Sequence, residues 1–180
     1  MCAVRSFWRR RVVRSIPVLA LLSCGLCGSA FAMMPRLNVE QITSQATLVI
    51  EGRITDTRGE WSADHTYIHT WVSVAVSAVH KGRYTDTTLK LRVLGGVADG
   101  IGMSVDEGVS FAAGEHVILF LGPNPHAYEP TIGRSQGVFR ISDDAPGATD
   151  VATNGAGVSL GRSELVRRVA GVAGKKGGSR

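Results

Sequence analysis

Glu115-His-Val-Ile-Leu-Phe-Leu-Gly122 is the stretch whose reading decides the fold. Its apolar run, Val117 to Leu121, follows a Gly-Glu corner and ends at Gly122-Pro123. The run is shorter than an ordinary helix and has breakers on both sides, so it predicts a strand buried on both faces. The flanking segments read as strands placed around it. In Leu48 to Thr57, Leu48, Ile50 and Ile54 share one phase and Glu51, Arg53 and Thr55 take the other. Gly52 stands between them, where a short barrel would coil or bulge.

The next strand, Thr66 to Val79, is unusually long. Ile68, Thr70, Val72, Val74, Val76 and Ala78 form its apolar phase, and Tyr67, His69, Trp71, Ser73, Ala75 and Ser77 the other. Strands of this length bend around a small barrel instead of lying flat. Lys81-Gly82-Arg83 turns the chain into a third strand carrying Leu89, Leu91 and Val93. Short strands are expected at Tyr128 to Gly133 and Val138 to Ile141. The fold class is therefore all-β, a small, partly open barrel, with a short helix at each end. Asn38 to Gln45 has a capping residue and Gln41 three positions later; Ser163 to Ala173 carries the stripe Leu165, Val166, Val169 and Val172. Gly95 to Gly114 reads as a long loop, Asp143 to Gly157 as a surface loop, and the Gly-Lys-rich end as disordered.

Residues 1–32 read as a cleavable secretory signal. Arg5, Arg9, Arg10, Arg11 and Arg14 precede the apolar run Ile16 to Leu22, and Ala30-Phe31-Ala32 supplies the cleavage pattern. Periplasmic or secreted localisation follows. The alternatives are twin-arginine export and lipid anchoring through Cys24, and the membrane enters only through export or lipidation. The chain has 20 Lys and Arg against 15 Asp and Glu, but five of the basic residues lie in this segment, which leaves a neutral mature chain. All three cysteines, Cys2, Cys24 and Cys27, lie there too, so no disulfide is expected after cleavage. Residues 33–161 hold 9 basic and 14 acidic side chains and form the barrel domain; 162–180 hold 6 and 1 and form a basic helix and tail. A nucleic-acid partner is not expected from this balance.

The body resembles a group of uncharacterised exported bacterial proteins. The likeness is carried by Leu48-Val-Ile-Glu-Gly-Arg-Ile54, Val79-His-Lys-Gly82, Gly95-Gly96, Phe111 followed by Gly114-Glu115 and the Val117 to Leu121 run, and Ser135-Gln136-Gly137-Val-Phe139. The order of elements is also distantly similar to netrin and tissue-inhibitor domains. That resemblance implies an OB-like barrel, and it transfers no site residue. The disulfides of those domains have no counterpart here.

An OB-like barrel binds across its strand face, and Tyr67, His69 and Trp71 along one phase, with Trp61 nearby, form the candidate ligand-binding set. The competing reading is that a terminal helix or the glycine loop covers these rings. A metal set is not expected. His65 and His69 are four apart, which spans about 13 Å in a strand, and Asp64, His80, His116 and His126 join them only through folding that spacing does not show. These histidines read as solvent-facing. Glu115 and Gln136 are explained by pairing with turn backbone, and Ser135 lacks the setting of a nucleophile. No catalytic residue and no cofactor are assigned. The function expected is a noncatalytic exported module that binds an envelope or secreted protein, a peptide or a polymer. A structural envelope protein and a hydrolase or metalloenzyme centred on Glu115, Gln136 or the histidines are the alternatives.

Overall fold

The computed structural model describes residues 35–142 and 150–177. The segment expected to be a signal, with Cys24, residues 143–149 of the expected surface loop and the last three residues of the expected tail lie outside the described residues. Chain order gives α1 (Val39–Gln45), β1 (Leu48–Trp61), β2 (Ile68–Lys81), β3 (Thr88–Leu94), β4 (Gly96–Ala98), β5 (Ile101–Met103), β6 (His116–Leu121), a 3-10 turn (Arg134–Gly137), β7 (Val138–Ser142), β8 (Val151–Asn154), β9 (Ser159–Gly161) and α2 (Arg162–Gly177). Seven strands form one antiparallel sheet in the order β3-β2-β1-β6-β7-β8-β9, and β4 and β5 form a separate hairpin.

The Val117 to Leu121 run sits where its composition requires. β6 lies between β1 and β7, and each residue of the run is fully buried. Its alternation feeds two cores. Ile118 and Phe120 join Val49, Phe139, Ile141 and Ala152 beneath the helices, where Val39 and Ile42 of α1 and Leu165 and Val169 of α2 close the layer. Val117, Leu119 and Leu121 face the other way, toward Ile50, Ile54, Val72, Val74, Leu91 and Val93. We call the second side the inner face and the first the outer face. α1 starts on a capping box: the Asn38 side chain accepts from Gln41 N, and the Gln41 side chain accepts from Asn38 N.

Several expectations change. Both long strands run further than alternation indicated, to Trp61 and to Lys81. The glycine-rich stretch holds the β4–β5 hairpin; it crosses β1 at Gly59, where a Cβ would stand 2.1 Å from Val97 O. Tyr128 to Gly133 is not a strand: it has only a bridge from Thr131 to Leu121, and its backbone is partly spent on β3. Arg92 N donates to Pro125 O at 3.4 Å and Leu94 N to Tyr128 O at 3.2 Å, so the segment after β6 lies along the β3 edge. The expected surface loop yields β8 within its described part, and β9 follows it. The basic stretch after Gly161 forms α2, two of whose apolar residues enter the core. Among the described residues no helix is long and apolar enough to cross a membrane.

The β1–β2 pairing breaks register between Val49 and Ile50, between Glu51 and Gly52, and between Ile54 and Asp56. The first two breaks leave His80 and Ser77 as extra residues on β2; the third leaves Thr55 extra on β1. A bulge re-aims side chains and sharpens the bend. Gly52 permits this one: a Cβ there would meet Ala75 O at 2.3 Å.

Candidate functional site

Among the described residues the buried side chains of α1 and α2 pack with Val49, Ile118, Phe120 and Phe139, and on the outer face of β1, β2 and β3 beyond Thr55 register fixes who stands beside whom. Trp71 on β2 is opposite Arg58 on β1 and Arg92 on β3. One step along, His69 is opposite Glu60 and Leu94; one step the other way, Ser73 is opposite Asp56 and Lys90. Cross-strand partners share a face. The alternating Tyr67, His69 and Trp71 read from sequence are therefore brought together as expected.

Their cover comes from an element that reading did not consider. Among the described residues the ring contacts made to Tyr67, His69 and Trp71 from beyond β2 come from residues 124–130 after β6, which supply His126 and Tyr128. Tyr128 meets Tyr67 edge to face at 5.3 Å, and His126 meets Trp71 at 6.0 Å and 74°. His69 stands between Trp71, at 5.8 Å, and Tyr128, at 6.1 Å. The Arg92 guanidinium lies 4.0 Å over the Tyr128 ring and 5.6 Å from the Trp71 ring, with its Nε donating to His126 O at 3.0 Å. This contact holds the segment to the sheet by cation–π attraction and a hydrogen bond together.

Polar atoms of the cluster are tightly arranged. Trp71 Nε1 donates to Glu60 Oε1 at 2.6 Å, and His69 Nε2 stands 3.2 Å from the same oxygen. The Trp71 bond, joined by His69, holds the Glu60 carboxyl below its usual range against a smaller opposing effect of desolvation. The Tyr67 and Tyr128 hydroxyls are 2.5 Å apart, and this bond, with burial, pushes the Tyr67 phenol upward. His69 is 6% exposed, and its Nδ1 is a buried atom with no hydrogen-bond partner.

Trp61 does not join them. It pairs with Ile68, one position out of phase, and its ring lies 5.8 Å from His65 at the hairpin tip. That tip is locked by Asp64, whose Oδ1 accepts from Ser62 Oγ at 2.6 Å and Thr66 Oγ1 at 2.9 Å. On the inner side a groove of about 770 Å³ opens between the sheet, the β4–β5 hairpin and residues 104–111, lined by Thr70, Val93, Met103 and Phe111 among others. Val97 and Ile101 on the hairpin are 64% and 55% exposed.

A second polar cluster escaped the sequence reading. Strict alternation placed Glu51 outward among polar residues, yet it is 1% exposed. Its carboxylate accepts from Arg162 Nε at 2.8 Å and Nη2 at 3.0 Å, and lies 2.9 Å from both His80 Nε2 and His116 Nε2. An ionised carboxylate only accepts, so each imidazole presents its Nε2–H. Burial alone would raise the Glu51 pKa; the bonds from Arg162, His80 and His116 outweigh it and hold it lowered. The cluster ties β1, β2, β6 and the start of α2 together. The only available signal was Gly52, which marks the bulged region without saying which side chains it turns.

Of the remaining residues, Glu115 pairs with Arg140 at 3.2 Å instead of with turn backbone. Gln136 does serve backbone, accepting from Leu37 N at 2.8 Å and donating to Pro35 O at 3.2 Å. His65 and His126 are exposed, but His69, His80 and His116 are wholly or partly buried, which corrects their reading as solvent-facing. Among the described residues no group of three His, Cys, Asp or Glu side chains is placed to hold a metal ion. Compared with protein-family models, with curated proteins and with solved structures, the chain matches none.

Proposed function

We propose that the chain is an exported, noncatalytic binding module, a partly open OB-like barrel that takes its partner on the outer face of β2 and β3. The observation that carries this reading is the register row Arg58-Trp71-Arg92, an aromatic ring between two arginines on a strand face, set apart from the cluster that α1 and α2 close among the described residues. Support for the barrel comes from connectivity. β1 to β3 form a meander, β6 pairs on the far side of β1 with β7 beyond it, and the 125–128 segment occupies the β3 edge. In such barrels the second and third strands form the binding face. Support for export is the basic start, apolar run and Ala-Phe-Ala pattern.

The test is capture from an envelope or culture-supernatant extract, followed by rebinding of the purified partner to the unchanged chain and to Trp71→Ala and Arg92→Ala variants checked for fold by circular dichroism. A partner whose rebinding is lost in both variants fits the proposal. Undiminished rebinding to both folded variants sinks it. The inner groove offers a second reading, favoured by its volume and by the exposed Val97 and Ile101.

A further inference from the structure

We infer that the ligand of this face is an anionic glycan, a chain of sugars bearing carboxylates; the inference rests on the binding reading above and names its chemistry. Charge is the first argument. The 33–161 stretch has 9 basic and 14 acidic residues, yet the face around Trp71 gathers Arg58, Lys90 and Arg92 against Asp56 and Glu60, so its balance is reversed. A cationic patch on an acidic body directs an anion to that patch.

Unused bonding capacity is the second. Among the described residues Arg58 and Lys90 make no ion pair within bonding distance, although the Arg58 charge helps lower the Glu60 carboxyl, and Arg92, laid over the Tyr128 ring, spends its Nε on a carbonyl while its terminal nitrogens meet no carboxylate. A guanidinium presents a planar fork that matches a carboxylate with two parallel bonds. Trp71 stands between the two forks, and an indole offers an apolar ring to the C–H face of a sugar. Glu60 spends only Oε1 on Trp71 and His69, leaving its other oxygen to accept from sugar hydroxyls, and its side chain is 39% exposed. His69 Nδ1, buried without a partner, marks the hydrogen bonding behind these rings as incomplete within the fold.

A nucleic-acid strand fits this arrangement less well. Its bases need a succession of ring faces, whereas Tyr128 and Tyr67, His69 and Trp71, and His126 and Trp71 meet near the perpendicular, at 87°, 79° and 74°, and form no continuous platform; a sugar needs only one ring.

Isothermal titration of the purified chain with hexagalacturonate, with its fully methyl-esterified form and with an oligothymidylate tests the inference. Hexagalacturonate is expected to bind, more weakly as salt rises, and the ester at least about tenfold less well. Arg58→Gln and Arg92→Gln are each expected to weaken the acid form about tenfold, the loss of one charge-assisted contact. The exposed Lys90→Gln, which disturbs no ring, should weaken it in the same direction. Three results overturn the anionic reading: no binding of hexagalacturonate to the folded chain, equal binding of the ester, or tighter binding of oligothymidylate. Equal ester binding that is lost in Trp71→Ala would leave the binding face standing without its charge selectivity. Hexagalacturonate binding indifferent to Trp71, Arg58 and Arg92 would remove both readings.

Discussion

Trp71 donates its indole N–H to Glu60 across the β1–β2 ladder at 2.6 Å, and the same carboxylate oxygen stands 3.2 Å from His69 Nε2. One acidic side chain thereby fixes two rings of the candidate face. The bond also depresses the Glu60 carboxyl relative to its ordinary value of 4.5. A depressed folded value contributes stability that is present above the unfolded value and lost as pH falls through the folded one. Carboxyl carbon NMR during acid titration should place Glu60 below 4.5, and Trp71→Phe should move it up. An unchanged midpoint in Trp71→Phe would remove the indole as the cause.

Glu51 makes a stronger demand on stability. Replacing it with Gln leaves the Arg162 guanidinium, with His80 and His116 beside it, facing a group that cannot answer its charge; breaking a fully buried pair costs about 3–5 kcal/mol, and the 38% exposure of Arg162 brings the expected loss to the lower end, about 2–3 kcal/mol. Urea unfolding of Glu51→Gln is the measurement. A loss under about 1 kcal/mol would mean that water or rearranged partners already satisfy the cluster.

The same residue sets a pH dependence. Because the folded Glu51 value is lowered below 4.5, the unfolded chain binds more protons in the window below that value, and stability rises with pH there. The urea midpoint of the unchanged chain should fall as pH drops from about 5 toward 3. That fall should be shallower in Glu51→Gln; parallel curves would assign the acid sensitivity to other carboxylates.

Tyr67 and Tyr128 share a hydroxyl pair at 2.5 Å, and this contact is the main cause of the raised Tyr67 value. In Tyr128→Phe the ultraviolet signal of tyrosinate should show the Tyr67 transition moving down toward 10. A transition that stays put would mean burial alone raises it.

Gly52→Ala puts a Cβ 2.3 Å from Ala75 O, a backbone atom with little freedom to move. Forcing apart the β1–β2 pair at this bulge should cost about 1–3 kcal/mol. Thermal unfolding gives the answer; a neutral result would mean the strands separate there without strain.

Periodicity was informative wherever the chain kept a constant phase. Val117 to Leu121, Asn38 with Gln41, and Tyr67 with His69 and Trp71 are local patterns whose partners follow from strand or helix geometry. It failed where an inserted residue changes the phase. Counting by twos sends His80 inward with Val72 and Val74, but the extra residues at Ser77 and His80 turn His80 toward Glu51, and no local pattern announces a two-residue offset. Contacts distant in sequence were equally silent. Tyr128 was read as the start of a strand, yet its segment lies along β3 because Leu94 N and Arg92 N there need acceptors. Trp61 looked close to Tyr67 along the chain, but strand parity puts it with Ile68.

The two faces of the sheet separate the proposed site from its rival, so mapping a partner onto the chain tests the central claim most directly. Amide NMR shifts of the purified chain, followed as the captured partner is titrated in, are predicted to move at residues 58–60, 67–71, 90–94 and 124–128. Shifts confined to residues 95–111, around the inner groove, would contradict the assignment of binding to the outer face of β2 and β3.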